Sequence, residues 1–155
     1  MNYEFIKIDH IDYIEDHETD LFVTCIFQDQ KPPHGLAAKM DWRMGSWISK
    51  NMVSGLITGE FEEKTLIALS PKFKAPRALL VGFGDSNKLT FSNIKKLVED
   101  ILDNIEKIQA ERVSLHLPVQ IYRSAPEQME ELLITLCTQR FHRKPIRINW
   151  INALD

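Results

Sequence analysis

Ala75-Pro76-Arg77-Ala78-Leu79-Leu80-Val81-Gly82-Phe83-Gly84-Asp85-Ser86-Asn87-Lys88-Leu89-Thr90 decides the fold class of this chain. Residues 78–83 are a continuous apolar run closed by Gly82-Phe83-Gly84. A short run of this kind, bounded by turn residues, is a strand covered on both faces. Residues 85–89 are a polar connection, and Thr90 is a helix N-cap, its hydroxyl able to take one of the orphan N–H groups of the first turn. After it, Phe91, Ile94, Leu97, Val98, Ile101, Leu102, Ile105 and Ile108 form one wide apolar stripe. Lys95, Lys96, Glu99, Asp100, Asn104 and Lys107 take the opposite face, as on an amphipathic helix.

The same reading extends in both directions. Downstream, residues 113–117 form a strand stopped by Pro118. Ser124-Ala125-Pro126-Glu127 is a capping box with a first-turn proline. The helix it opens buries Met129, Leu132, Leu133 and Leu136 and ends near Phe141, and residues 146–151 give a last strand. Upstream, residues 65–69 form a strand. Residues 35–54 form a helix in two pieces, with Gly45 at the break. Residues 20–27 are a nearly continuous apolar strand, and residues 3–9 alternate as a half-buried or edge strand. The acidic residues 10–19 read as a surface connection. The order β-β-α-β-β-α-β-α-β predicts a three-layer α/β/α sandwich around a mixed, mostly parallel sheet, with residues 1–155 as one domain.

Composition narrows the function. The 155 residues carry a net charge of −3, with 44% apolar and 26% charged side chains. That balance gives no net attraction to nucleic acid or to anionic membrane. No apolar run approaches the ~20 residues of a membrane span. The N-terminus lacks the basic-then-apolar pattern of a signal peptide. Cys25 and Cys137 both lie in apolar runs and read as buried free thiols. A cytoplasmic location is the expectation.

Four segments together resemble one family. Residues 20–27 followed by Gly35-Leu36-Ala37-Ala38-Lys39-Met40-Asp41 give an apolar strand, a short loop and an alanine-rich helix. Ser54-Gly55-Leu56-Ile57-Thr58-Gly59-Glu60-Phe61 gives a glycine-containing connection. Lys74-Ala75-Pro76-Arg77 through Gly82-Phe83-Gly84, and then Lys88-Leu89-Thr90, complete the series. In this order they resemble the N-terminal domain of the leucyl aminopeptidases, the M17 metallopeptidases, whose fold is macro-domain-like. The resemblance implies that metal ligands and catalytic residues belong to a separate C-terminal domain, and no segment here matches those motifs. Its implied role is non-catalytic, in self-association or contact with an aminopeptidase-like protein, with no cofactor, metal or catalytic residue in this chain. A small-molecule site in the strand-end crevice, or a part of a split peptidase, are the competing expectations.

Candidate ligand residues follow from the crevice at the strand ends, where α/β folds bind ligands. They are Gln28 and Asp29 after the first buried strand, Gly82 and Gly84 in the glycine segment, and Gln120, Tyr122 and Arg123 after residue 117. Gly82 and Gly84 either cradle a phosphate with their N–H groups or permit a tight strand exit. Pro32-Pro33 and the glycine-free residues 118–124 argue against an ADP-ribose diphosphate, because proline has no N–H to donate and side chains hinder backbone approach. His10, Asp12, Asp16, His17 and Glu18 cluster in sequence and suit a solvated acidic loop better than a metal. His116, between Leu115 and Leu117, suits a hydrogen-bonded structural role. Trp42 and Trp47, five residues apart, cannot both centre one helix face, so one of them is free for an interface unless both pack in the core. Lys72, Lys74 and Arg77, with Arg140, His142, Arg143, Lys144 and Arg147, are the basic clusters to test as a patch.

Overall fold

The computed structural model describes residues 3–117 and 126–151. The described residues form strands β1 (Tyr3–Ile8), β2 (Leu21–Phe27), β3 (Lys64–Ala68), β4 (Arg77–Gly84), β5 (Arg112–His116) and β6 (Ile146–Ile151). The helices are α1 (Gly35–Arg43), α2 (Trp47–Val53), α3 (Phe91–Ile108) and α4 (Pro126–Phe141). The strands make one sheet in the order β1-β6-β5-β2-β4-β3. Neighbours pair in parallel except β3, which runs antiparallel to β4 at one edge. This is the mixed, mostly parallel α/β/α arrangement that the element order predicts.

Alternation along β2 shows how two cores share one sheet. Leu21, Val23, Cys25 and Phe27 face α3 and α4, together with Leu79, Val81 and Phe83 of β4. Phe22 and Ile26 face the other way, onto Leu36, Met40, Ile48 and Met52 of α1 and α2. Every residue of β2 is therefore buried, as a central parallel strand requires. The α3 stripe packs as its spacing predicts, with Ile94, Leu97, Val98, Ile101, Leu102 and Ile105 all buried. Thr90 caps the helix, its hydroxyl accepting the Asn93 N–H at 3.1 Å. In α4, Met129 and Leu133 are buried, and Cys137 and Phe141 complete the buried row. Leu132 and Leu136 stay half-buried beside α3. The capping residue Ser124 lies outside the described residues.

Residues 10–19 differ from the surface connection expected of them. Ile11 and Ile14 are buried against the α1 side of the sheet, with a single 3-10 turn at Ile14–Asp16 between β1 and β2. His17 turns inward, its Nε2 lying 2.7 Å from the Ser114 hydroxyl, which also meets Thr19 at 3.1 Å and Asn149 at 3.3 Å. Asp12, Asp16 and Glu18 face water, Glu15 pairs with Arg43 at 3.4 Å, and the two isoleucines with His17 fill the sheet face. Its apolar content is too sparse to show a helical stripe.

Candidate functional site

The glycine segment lies inside a strand rather than in a turn beyond it, because β4 runs on through Gly84. Its backbone is occupied. The Gly82 N–H donates to the Glu63 carbonyl at 2.7 Å, and the Gly84 N–H to the Gly59 carbonyl at 2.9 Å. The Gln28 N–H, at the end of β2, donates to the Gly84 carbonyl at 3.0 Å. Residues 57–63 thus lie strapped across the ends of β2 and β4. Glycine is required for that approach: a Cβ on Gly82 would stand 2.0 Å from the Glu60 carbonyl oxygen. A Cβ on Gly59 would stand 2.8 Å from the Gln28 backbone nitrogen. The Glu63 carboxylate holds the strap's own turn, accepting from the Thr58 N–H at 3.1 Å, the Thr58 hydroxyl at 2.6 Å and the Gly59 N–H at 2.9 Å.

Asp29 completes this closure. Its carboxylate accepts the Ser86 N–H at 2.9 Å and the Ser86 hydroxyl, tying the exit of β2 to the turn after β4. Burial pushes its pKa up, but these bonds and the nearby His34 outweigh that and hold it below the ordinary value. The structure therefore brings Gln28, Asp29, Gly82 and Gly84 together, with the backbone N–H groups of Gln28, Gly82 and Gly84 bonded within the closure and the Asp29 carboxylate bonded to Ser86. Gln120, Tyr122 and Arg123 lie outside the described residues.

The other sequence candidates scatter. His10 pairs with Asp12 at 2.5 Å in the open, while His17 is drawn inside. Among the described residues, no three His, Cys, Asp or Glu side chains converge to hold a metal ion. Half of the basic-cluster residues are paired with carboxylates: Arg140 with Asp103 and Glu106, Lys144 with Glu106, Arg147 with Glu4, and Lys74 with Glu18. Cys25 and Cys137 are buried free thiols, and burial pushes the Cys137 pKa up to about 12. Neither suits a nucleophile, which needs a lowered pKa and access.

The open surface lies elsewhere. Trp42 is 79% exposed and Trp47 38%, whereas Trp150 is buried. Val53, Leu56 and Leu66 are also exposed. Five of the nine exposed large apolar side chains among the described residues thus come from residues 42–66, the span of α1, α2 and β3. Val53, Leu56 and Leu66 escaped the sequence reading. Their only signal is that Val53 and Leu56 fall after the helical stripe, and that Leu66 alternates with the buried Ile67. Beside the edge of β3 runs a groove of about 800 Å³, bordered by Met44, Gly45 and Trp47 of the α1–α2 turn. A second cavity of about 510 Å³ lies between α3 and α4, with Lys95, Glu99 and Glu131 around Leu132 and Leu136.

Residues 22–141 match the model of the cytosol aminopeptidase family, N-terminal domain. The chain belongs to that family. A probable cytosol aminopeptidase of Haemophilus ducreyi is 27% identical over 92 residues, which are 59% of this chain and 18% of that relative's length. A tomato leucine aminopeptidase mutant superposes with a TM-score of 0.66 at 14% identity, over 99% of this chain and 33% of the other. The macrodomain of Mycobacterium tuberculosis DarG superposes with a TM-score of 0.68 at 13% identity, over 94% of this chain and 97% of the other. The chain thus spans a third or less of the aminopeptidases it matches and nearly all of a macrodomain. The fold of this M17 N-terminal domain is macro-domain-like, and two of the segments that carried the resemblance, residues 54–61 and 82–84, meet in the strapped closure of residues 57–63 on the ends of β2 and β4. No helix among the described residues is long and apolar enough to cross a membrane.

Proposed function

We propose that this domain is a non-catalytic interaction module of the cytoplasm, associating with itself or with an aminopeptidase-like protein. The observation that supports this most is the concentration of exposed apolar side chains in residues 42–66. Leaving such surface in water costs about 25 cal/mol per Å² relative to burial, and large exposed apolar side chains of this kind suit an interaction surface. The family match supports the same reading, because it covers the N-terminal domain and not a catalytic one.

A photo-crosslinking residue at Val53 tests the proposal, with Tyr13, exposed but outside residues 42–66, as control. Adducts to a second copy or to an aminopeptidase-like protein are expected at Val53 and not at Tyr13, and equal yields at both sites would remove the support. Cleavage of leucyl-p-nitroanilide by the purified chain with Mn²⁺ or Zn²⁺ would overturn the non-catalytic part. The competing reading, a nucleotide-like ligand at the strand ends, draws on the likeness to macrodomains. It is weakened by the N–H groups of Gln28, Gly82 and Gly84, which already donate within the protein, and by the Asp29 carboxylate, which repels a diphosphate.

A further inference from the structure

The edge of β3 is unpaired among the described residues, since β3 ends the sheet order. Its register shows which groups are available. The Leu69 N–H reaches the Pro76 carbonyl at 2.9 Å, and the Gly82 N–H reaches the Glu63 carbonyl at 2.7 Å. With Leu66 opposite Leu79, alternation directs the backbone groups of Thr65 and Ile67 toward β4. Those of Lys64, Leu66 and Ala68 point outward. The groove lies directly beside this edge, so a strand added there sets its alternate side chains against Trp47 and Met44.

Charge selects the occupant. At the Ala68 end stand Arg43 and Lys72, with Lys72 donating to the Arg43 carbonyl. Arg43 has one acidic partner, Glu15 at 3.4 Å, and Lys72 has no carboxylate partner among the described residues. This end carries an excess of positive charge. At the other end Lys64 is balanced by Asp100 at 3.5 Å, and Glu62 by Lys96 at 2.7 Å. A second copy paired antiparallel through β3 would set that balanced end against the cationic one, with no excess of negative charge to meet it. We infer that the β3 edge takes an extended peptide segment of a partner protein, apolar at alternate positions and carboxylate-bearing at the end beside Arg43 and Lys72. This rests on the interaction reading above and names the partner's chemistry.

The test uses two capped, fluorescein-labelled peptides of alternating valine and serine, one ending in two aspartates and its twin in two lysines. Fluorescence anisotropy with the full chain is expected to show the aspartate peptide binding about tenfold tighter, as steering by a partly solvated charge pair allows. Leu66→Pro removes the central outward N–H without touching the β4 ladder, as proline is tolerated on an edge. It should weaken the aspartate peptide about tenfold. Trp47→Ala, which leaves the strand alone, should weaken both peptides, and Lys72→Glu should abolish the preference between them. Equal affinity of the two peptides, or wild-type binding by both Leu66→Pro and Trp47→Ala, would overturn the inference. So would a dimer in sedimentation that Leu66→Pro dissociates, which would give the edge to a second copy. Crosslinks at Val53 that persist while neither peptide binds would sink this inference alone, whereas loss of both would sink the interaction reading as well.

Discussion

The ends of β2 and β4 and the edge of β3 lie close in the fold yet are built to opposite ends. At the strand ends, Gly59 and Gly82 let residues 57–63 lie against backbone, and Gln28, Gly82 and Gly84 donate their N–H groups internally. At the β3 edge, Lys64, Leu66 and Ala68 direct their backbone groups outward, beside a groove and an exposed tryptophan. A glycine-rich segment is thus a closure here, while the unremarked strand beside it is the open surface. Where the backbone hydrogen bonds go separates the two regions better than residue type does.

The largest effect is expected in the frame both regions share. Leu97→Asp or Ile101→Asp puts a charge at a fully buried position. Either should cost about 4 kcal/mol or more and abolish cooperative thermal unfolding. Next comes the closure itself. Gly82→Ala drives a methyl into the Glu60 carbonyl and should cost about 3 kcal/mol in urea denaturation. Wild-type stability of Gly82→Ala would show that the strap is not seated and would erase the contrast. Glu63→Ala leaves the Thr58 and Gly59 donors of the strap unpaired and should cost about 1–2 kcal/mol. The open edge predicts the reverse: Leu66→Pro should change stability by less than about 1 kcal/mol, since the N–H it removes is unpaired in the sheet.

A smaller effect concerns pH. Burial lowers the His17 pKa more than nearby Glu18 raises it, so the folded value lies below the ordinary 6.5. The unfolded chain then binds more protons in the window below 6.5, and stability rises with pH through it. This contribution is present above 6.5 and is lost as pH falls through the folded value. His17→Gln should flatten that part of the stability profile, and an unchanged slope would show that His17 is not held against Ser114.

The parts that were legible in the sequence were local. The α3 stripe, the Thr90 cap and the apolar runs of β2 and β4 are each written in consecutive residues, and each folds as its period requires. The family resemblance was legible too, in segments whose order the structure explains, because two of them pack on one another. What the sequence hid is long-range. Nothing near Gly82 announces that Glu60 crosses it, and nothing near Leu66 announces that β3 ends the sheet. Residues 10–19 read as solvated because their charges outnumber Ile11, Ile14 and His17, which nonetheless fill a sheet face. Trp42 and Trp47 were flagged by spacing, and both turn out to be exposed to some degree. Of the ligand candidates, Gln28, Asp29, Gly82 and Gly84 come together, but as partners within one closure.

The central contrast is tested most directly by following every backbone amide by NMR while the aspartate-ended peptide is titrated in. Shifts are expected at Lys64, Leu66, Ala68 and the Trp47 indole, with Gln28, Gly82 and Gly84 unmoved. Shifts at Gln28, Gly82 and Gly84 with a silent β3 edge would contradict it.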